Sequence, residues 1–180
     1  MSATVYLLLF RGVGGATQLP TKPLREALTE AGFENAGTYI NSGNAYLKTT
    51  MARDDMLKAV AEICREKFGF AKDIYAPSLA EWRKLVKQNP FAGKFEEGRF
   101  LHAAWLAEKP AEDAIGKLRA LAAAGEEVEV VGKVAYLHTP GGLSQSVLGT
   151  KFDKGLGVPN TARNWNTVLK LLELAEKAAN

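Results

Sequence analysis

The chain has a single cysteine, Cys64, and only two histidines, His102 and His138. One cysteine excludes an intramolecular disulfide and fits a reducing compartment. Cys64 falls on the stripe Met56, Leu57, Val60, Ile63, Cys64, Phe68, so it reads as a small buried hydrophobe rather than a reactive thiol. The histidines stand alone in different predicted strands, without neighbours at ligand spacing, so no metal site is expected. Nothing points to an organic cofactor either. The N-terminal apolar run, Val5 to Phe10, spans six residues and ends at Arg11. That is too short for a secretory core or a membrane span, so no membrane association and a cytoplasmic location are expected. Charge of one sign is also missing: 23 Lys and Arg against 20 Asp and Glu leave +3, with no block of five or six like charges. Such a balance argues against nucleic acid as the partner. No Gly-x-Ser-x-Gly elbow and no Cys/His pair is legible, and no general acid or base can be named without geometry.

What is present is a regular alternation of elements over 180 residues, 47% of them apolar. Val5–Phe10 reads as a strand. Thr21–Ala31 reads as a helix, with Thr21 as its N-cap and Gly32 past its end. Gly37–Ile40 and Ala45–Lys48 read as strands around the turn Asn41-Ser42-Gly43-Asn44. Arg53–Phe68 is a helix stopped at Gly69, and Asp73–Ala76 a short strand. The order is βαββαβ, the ferredoxin-like pattern. Ser78-Leu79-Ala80-Glu81 has capping-box spacing and opens a further helix that ends near Asn89-Pro90. Phe91 to Gly98 is irregular and marks the boundary between halves. The second half begins again with a strand at Phe100–Ala107, a helix at Pro110–Ala124, and a hairpin of Glu127–Val131 and Val134–His138. A short helix over Ser144–Lys154 and a C-terminal helix follow.

The fold expected is therefore α+β, two ferredoxin-like subdomains: residues 1–90 with an extra helix, and residues 91–180 with the C-terminal helix, in one compact unit. In Val5–Phe10 both alternating sets, Val5/Leu7/Leu9 and Tyr6/Leu8/Phe10, are apolar. A strand apolar on both faces must be covered on both. The halves, or the last helices, are expected to cover each other's sheets.

Three segments carry a resemblance: Leu9-Phe10-Arg11-Gly12-Val13-Gly14-Gly15, Thr38-Tyr39-Ile40-Asn41-Ser42-Gly43-Asn44 and Thr161-Ala162-Arg163-Asn164-Trp165-Asn166-Thr167. With Asn89-Pro90-Phe91 and the strand ending Tyr136-Leu137-His138, they make the chain resemble the bacterial family called domain of unknown function 1697. That family's first segment usually reads Leu-Arg-Gly-Ile-Asn-Val-Gly-Gly. Here Arg11 and Gly12 are kept, Phe10 stands for the Leu, and the Asn is lost. The resemblance implies two ferredoxin-like subdomains in one body and no particular activity.

The residues themselves suggest chemistry for each segment. Arg11-Gly12-Val13-Gly14-Gly15 lies between a strand and a helix, where glycine-rich backbone can turn N–H groups toward an anion. The dinucleotide fingerprint fails, because position 17 is Thr, and the P-loop Gly-Lys-Ser/Thr ending is absent. A loop that simply needs unusual φ/ψ is the alternative. In the second segment turn chemistry alone accounts for Asn41, Ser42 and Gly43, with Tyr39 and Asn44 projecting from the hairpin as the alternative. In the third, Trp165, Val168, Leu169, Leu172 and Ala175 form a helical stripe, which makes Trp165 a core anchor. Either Thr161 or Asn164 suits the N-cap. Arg163 then falls in the first turn, where the helix dipole disfavours a cation by about 0.3–1 kcal/mol. A buried carboxylate, a carbonyl cluster or an anionic ligand would hold it there, and a guanidinium suits planar anions.

The reading carried forward is a domain that binds a small anionic or phosphorylated molecule through Arg11, Gly12, Gly14, Gly15, Tyr39, Ser42, Asn44, Thr161, Arg163 and Asn164. Two alternatives stand beside it. One is weak nucleic-acid binding through surface cations such as Arg83, Lys84 and Lys87. The βαββαβ order is also that of the RNA-recognition fold, but the third strand, Asn44-Ala45-Tyr46-Leu47-Lys48, lacks that fold's aromatic motif. The other is a protein-interaction module with an exposed apolar patch.

Overall fold

The computed structural model describes residues 1–13, 18–40 and 42–180. Gly14, Gly15 and Asn41 of the signature segments lie outside the described residues. β1 (Thr4–Phe10), α1 (Thr21–Glu30), β2 (Glu34–Thr38), β3 (Asn44–Thr49), α2 (Arg53–Phe68) and β4 (Ile74–Tyr75) build an antiparallel sheet in the order β2-β3-β1-β4. α3 (Leu79–Lys87) follows. β5 (Leu101–Leu106), α4 (Glu112–Ala120), β6 (Glu127–Val131), β7 (Val134–His138), α5 (Val147–Gly155) and β8 (Asn160–Asn164) repeat the pattern as β6-β7-β5-β8, and α6 (Trp165–Ala179) closes the chain. Both sheets have the ferredoxin-like strand order. By internal contacts the chain divides into two units, residues 1–83 with 171–180 and residues 84–170.

Local chemistry explains most element ends. Ser78 and Glu81 form the reciprocal capping box: the Ser78 N–H donates to Glu81 Oε2 at 2.7 Å and the Glu81 N–H to Ser78 Oγ at 3.2 Å. α2 stops where Gly69 turns left-handed at φ 63°. The N–H groups of Gly69 and Phe70 close that turn on the carbonyls of Arg65 and Cys64.

Three expectations are corrected. Thr21 does not cap α1. Pro20 holds the cap position, without a side-chain cap bond, and its carbonyl takes the Leu24 N–H. α4 is shorter than Pro110–Ala124 at both ends. Ala111 is still extended at ψ 143°, and beyond Ala120 the chain tightens into three-residue turns, with Glu126 accepting the Ala123 N–H. Thr161 to Asn164 are not a helix entrance but the edge strand β8, paired antiparallel to β5. Asn164 caps α6 by accepting the Thr167 N–H at 3.0 Å. Arg163 therefore precedes the helix, and the dipole argument does not apply to it.

The doubly apolar β1 is covered on both faces within the first unit. Tyr6, Leu8 and Phe10 pack with Leu24 and Leu28 of α1 and Met56, Val60 and Cys64 of α2. Directly opposed residues of antiparallel strands share a face, so Val5 and Leu7 share one with their partners Lys48 and Tyr46. That face meets the end of α6: Lys48 Nζ donates to the Ala179 carbonyl at 3.1 Å, Asn35 Nδ2 to the Ala178 carbonyl at 2.8 Å, and Arg83 pairs with Glu176 at 3.1 Å. In the second unit, Ala104, Leu106, Val128, Ala135 and Leu137 pack with Leu118, Leu148, Phe152 and Leu156. The other face carries Tyr136, whose ring meets Trp165 at 6.4 Å between centroids.

Tyr136 also resolves a helix-end problem. Pro90 has no N–H, and the Asn89 N–H turns to the Val86 carbonyl, so the Leu85 carbonyl loses its helical donor. The buried Tyr136 hydroxyl donates to it at 2.6 Å. Tyr136→Phe is expected to keep the fold and lower unfolding free energy by about 1–3 kcal/mol, the cost of one unsatisfied buried acceptor, measured by urea denaturation.

Candidate functional site

The end of β1 is gripped from both sides. The Phe10 N–H donates to the Gly43 carbonyl and the Arg11 N–H to the Asp73 carbonyl, both at 2.9 Å. Gly43, at φ 91°, sits so close that a Cβ there would lie 2.8 Å from the Phe10 carbonyl oxygen and 3.2 Å from the Val13 Cβ. A side chain has no room at that point, and glycine alone suits the angle. The first two signature segments are thereby joined within the first unit.

Hydrogen bonding accounts for Ser42 and Asn44 of the second segment. Asn44 is fully buried and does not project. Its Nδ2 donates to the Tyr39 carbonyl and to Ser42 Oγ, each at 3.4 Å, while the Tyr39 N–H donates to the Asn44 carbonyl at 3.0 Å. Ile40 pays the conformational cost of this turn: it is left-handed at φ 49° and 47% exposed, an unfavourable state for a β-branched residue.

Beyond Phe10 the chain turns through Gly12, also left-handed at φ 72°. A Cβ on Gly12 would lie 3.7 Å from Lys72 Nζ. Lys72 lines a cavity of about 420 Å³ together with Phe10, Phe70, Ile74 and residues of α2. Sequence reasoning missed Lys72. The signal was available in the topology: a βαββαβ sheet sets β4 beside β1, which brings the residues before β4 against the residues after β1.

In the second unit, β8 places the third segment. Arg163 pairs with Ala103, and Ala103 with Tyr136, so the three form one row across the sheet. Arg163 Nη1 donates to Thr161 Oγ1 at 2.7 Å and to the Ala162 carbonyl at 2.8 Å. Burial depresses its pKa to about 10. A guanidinium still stays charged at neutral pH, so the fold carries a desolvated cation here at some cost. Thr161 is buried and occupied by this bond, Asn164 is the helix cap, and Trp165 is a buried anchor flanked by Tyr136 and Phe95.

Burial raises the Cys64 thiol to about 11 and lowers the pKa of His102. Among the described residues His102 Nδ1 has no hydrogen-bond partner, and no three of His, Cys, Asp and Glu gather as a metal site. Among the described residues, too, no helix is long and apolar enough to cross a membrane.

Tandem ferredoxin-like units with polar segments at the ends of their sheets define the class. The chain belongs to the family described as Protein of unknown function (DUF1697), which matches residues 3–136 and so includes the first two segments but not the third. The conserved bacterial protein SP0830 from Streptococcus pneumoniae is similar in fold, with a TM-score of 0.74 at 21% identity over 97% of this chain and 99% of its own. No curated protein matches the chain.

Two measurements separate structural from functional roles in these segments. Asn164→Ala is expected to cost about 0.5–2 kcal/mol in urea unfolding, with Asn164→Asp close to wild type, as a cap requires. For Cys64, the folded thiol keeps its proton where the unfolded thiol, near 9.0, loses it. Stability from this group is present below pH 9 and is lost as pH rises from 9 to about 11. Unfolding free energies measured across that window are expected to fall more steeply for wild type than for Cys64→Ala.

Proposed function

We propose that the chain binds a small anionic or phosphorylated molecule, anchored in the first unit at the left-handed Arg11–Gly12 turn and Lys72. Tyr39, Ser42 and Asn44 form the hairpin that buttresses that turn, while Gly14 and Gly15 of the expected set lie outside the described residues. In the second unit, Thr161, Arg163 and Asn164 of the third segment carry one cation, Arg163, which is tested below as a further anion contact.

The observation that carries this reading is an internal comparison. The two units repeat the same backbone bonds at the ends of their central strands. Phe10 N–H to Gly43 carbonyl corresponds to Leu106 N–H to Lys133 carbonyl, and Arg11 N–H to Asp73 carbonyl corresponds to Ala107 N–H to Pro159 carbonyl. Where the first unit has Arg11, Gly12 and Lys72, the second has Ala107, Glu108 and Val158. Glu108 is not left-handed, since among the described residues only Asn35 and Ile40 are non-glycines at positive φ. The fold thus needs neither the turn nor the cations, and a ligand supplies the reason for having them. Glycine lets an anion approach the backbone, and the flanking ammonium and guanidinium supply charge.

The test is a thermal-shift titration with inorganic phosphate. At a concentration a hundredfold above Kd, the melting temperature is expected to rise by several degrees. Lys72→Ala should abolish the rise while leaving the unliganded melting temperature within a few degrees of wild type, and Gly12→Val should abolish it while also lowering that temperature, because valine is strained at the left-handed φ of 72°. Arg163→Met reports the Arg163 contact by itself. An absent rise in wild type, or an undiminished one in Lys72→Ala, would overturn the reading.

A further inference from the structure

The cavity next to the Arg11–Gly12 turn has two kinds of wall. Phe10 and Phe70 stack with ring centroids 5.9 Å apart and 23° between planes. Phe70 and Ile74 are only partly buried and give the cavity its apolar surface, while Phe10 and Cys64, which also line it, are buried. α2 presents Lys58, Ala61, Glu62 and Arg65, spaced i, i+3, i+4 and i+7 along one helix face. The opposite lip carries Lys72 and Asp73. Three cations against two carboxylates leave +1 around the opening. Glu62 is engaged by Arg65, which holds its carboxyl below the usual range. Among the described residues, neither the Lys58 nor the Lys72 ammonium, both lining the cavity, has an ion pair or a side-chain hydrogen bond. At about 420 Å³ the space falls within the range of small-molecule sites.

From this juxtaposition we infer that the ligand is an aromatic anion. Its ring system lies on Phe70 and Ile74, and its phosphate or carboxylate head reaches Lys72 and Gly12. The inference rests on the anion reading above and adds the body of the molecule to its head. A bare anion would use only the Lys72 and Gly12 end, and the exposed parts of Phe70 and Ile74 would then face water beside it at a hydrophobic cost. A flat ring covers them, and the α2 lysine stem of Lys58 closes over its edge with the ammonium in solvent. Ala61 is the small residue in the helix wall, and its size keeps the space open.

Calorimetric titration of the full chain with inorganic phosphate and with 1-naphthyl phosphate tests this, because the two probes share a head and differ in the body. The naphthyl ester is expected to bind at least about tenfold more tightly, from the apolar area it covers. Ala61→Trp fills the space and should erase that gain while leaving phosphate affinity unchanged. Ala71→Trp, on the other wall and also exposed, serves the same purpose should Ala61→Trp fail to fold. Phosphate binding with no gain for the ester overturns the inference and leaves the anion site standing. A gain that survives both tryptophan variants also overturns it, by placing the ring elsewhere. Binding of neither probe overturns both proposals.

Discussion

The constraint on which this architecture depends is a central strand with no polar face. Every side chain of β1 from Val5 to Phe10 is apolar and buried. Two helices packed on a four-stranded sheet cover one face of it and leave the other in water. Leu7 and Leu9, fully buried, each represent about 1.5–3 kcal/mol of transfer free energy that an open sheet would forfeit. The last turns of α6 therefore belong to the first unit, where Lys48 and Asn35 bond their final carbonyls. Those bonds serve twice, since carbonyls at a helix end have no donor of their own. They also occupy the face that an RNA-recognition sheet keeps open for stacked bases.

Most of the fold was legible because its strong signals are local. α2 runs from Arg53 to Phe68 and stops at Gly69, as the stripe and the glycine indicate, and the β6–β7 hairpin turns at Gly132. The capping box at Ser78 needed only four residues to be seen. β8 was not legible. Asn160-Thr161-Ala162-Arg163-Asn164 has one apolar residue and no alternation, and it becomes a strand because β5 offers it a ladder of partners. An edge strand of this kind is specified by tertiary pairing, not by its own pattern. The helical stripe beginning at Trp165 then drew the polar residues before it into the wrong element.

The site was legible in part for a related reason. Arg11, Gly12 and the Asn-Ser-Gly-Asn turn are conspicuous as residue types, and β1 pairing with β3 does bring the two segments together. Their division of labour was not conspicuous. Asn44 looks like a projecting amide in one dimension, yet it is buried and spent on the turn. Lys72 looks like one of many surface lysines and acquires meaning only from Gly12 across the β1–β4 ladder. Buried hydrogen-bonded groups and long-range neighbours are the two things a single sequence does not display.

The internal repeat separates architecture from what has been added to it. In register, Tyr6 opposite Ser78 corresponds to His102 opposite Asn164. Ser78 and Asn164 each cap the helix that follows, accepting from the N–H three residues on. That function recurs, so the fold requires it, and the polar character of Asn164 needs no ligand. One position earlier the repeat fails. Pro77 accepts the Leu7 N–H in the first unit, and Arg163 pairs with Ala103 in the second. At the central hairpin, Asn44 opposite Leu9 corresponds to Val134 opposite Trp105. Each unit therefore tolerates an uncharged or apolar residue where the other carries a buried or part-buried polar one. Burying an amide or a guanidinium costs free energy that valine or proline at the same point avoids. Asn44 recovers that cost in the hairpin that holds Gly43 against Phe10, and so in the shape of the loop beyond it. Arg163 recovers part of it through its bonds to Thr161 and Ala162 on the edge strand.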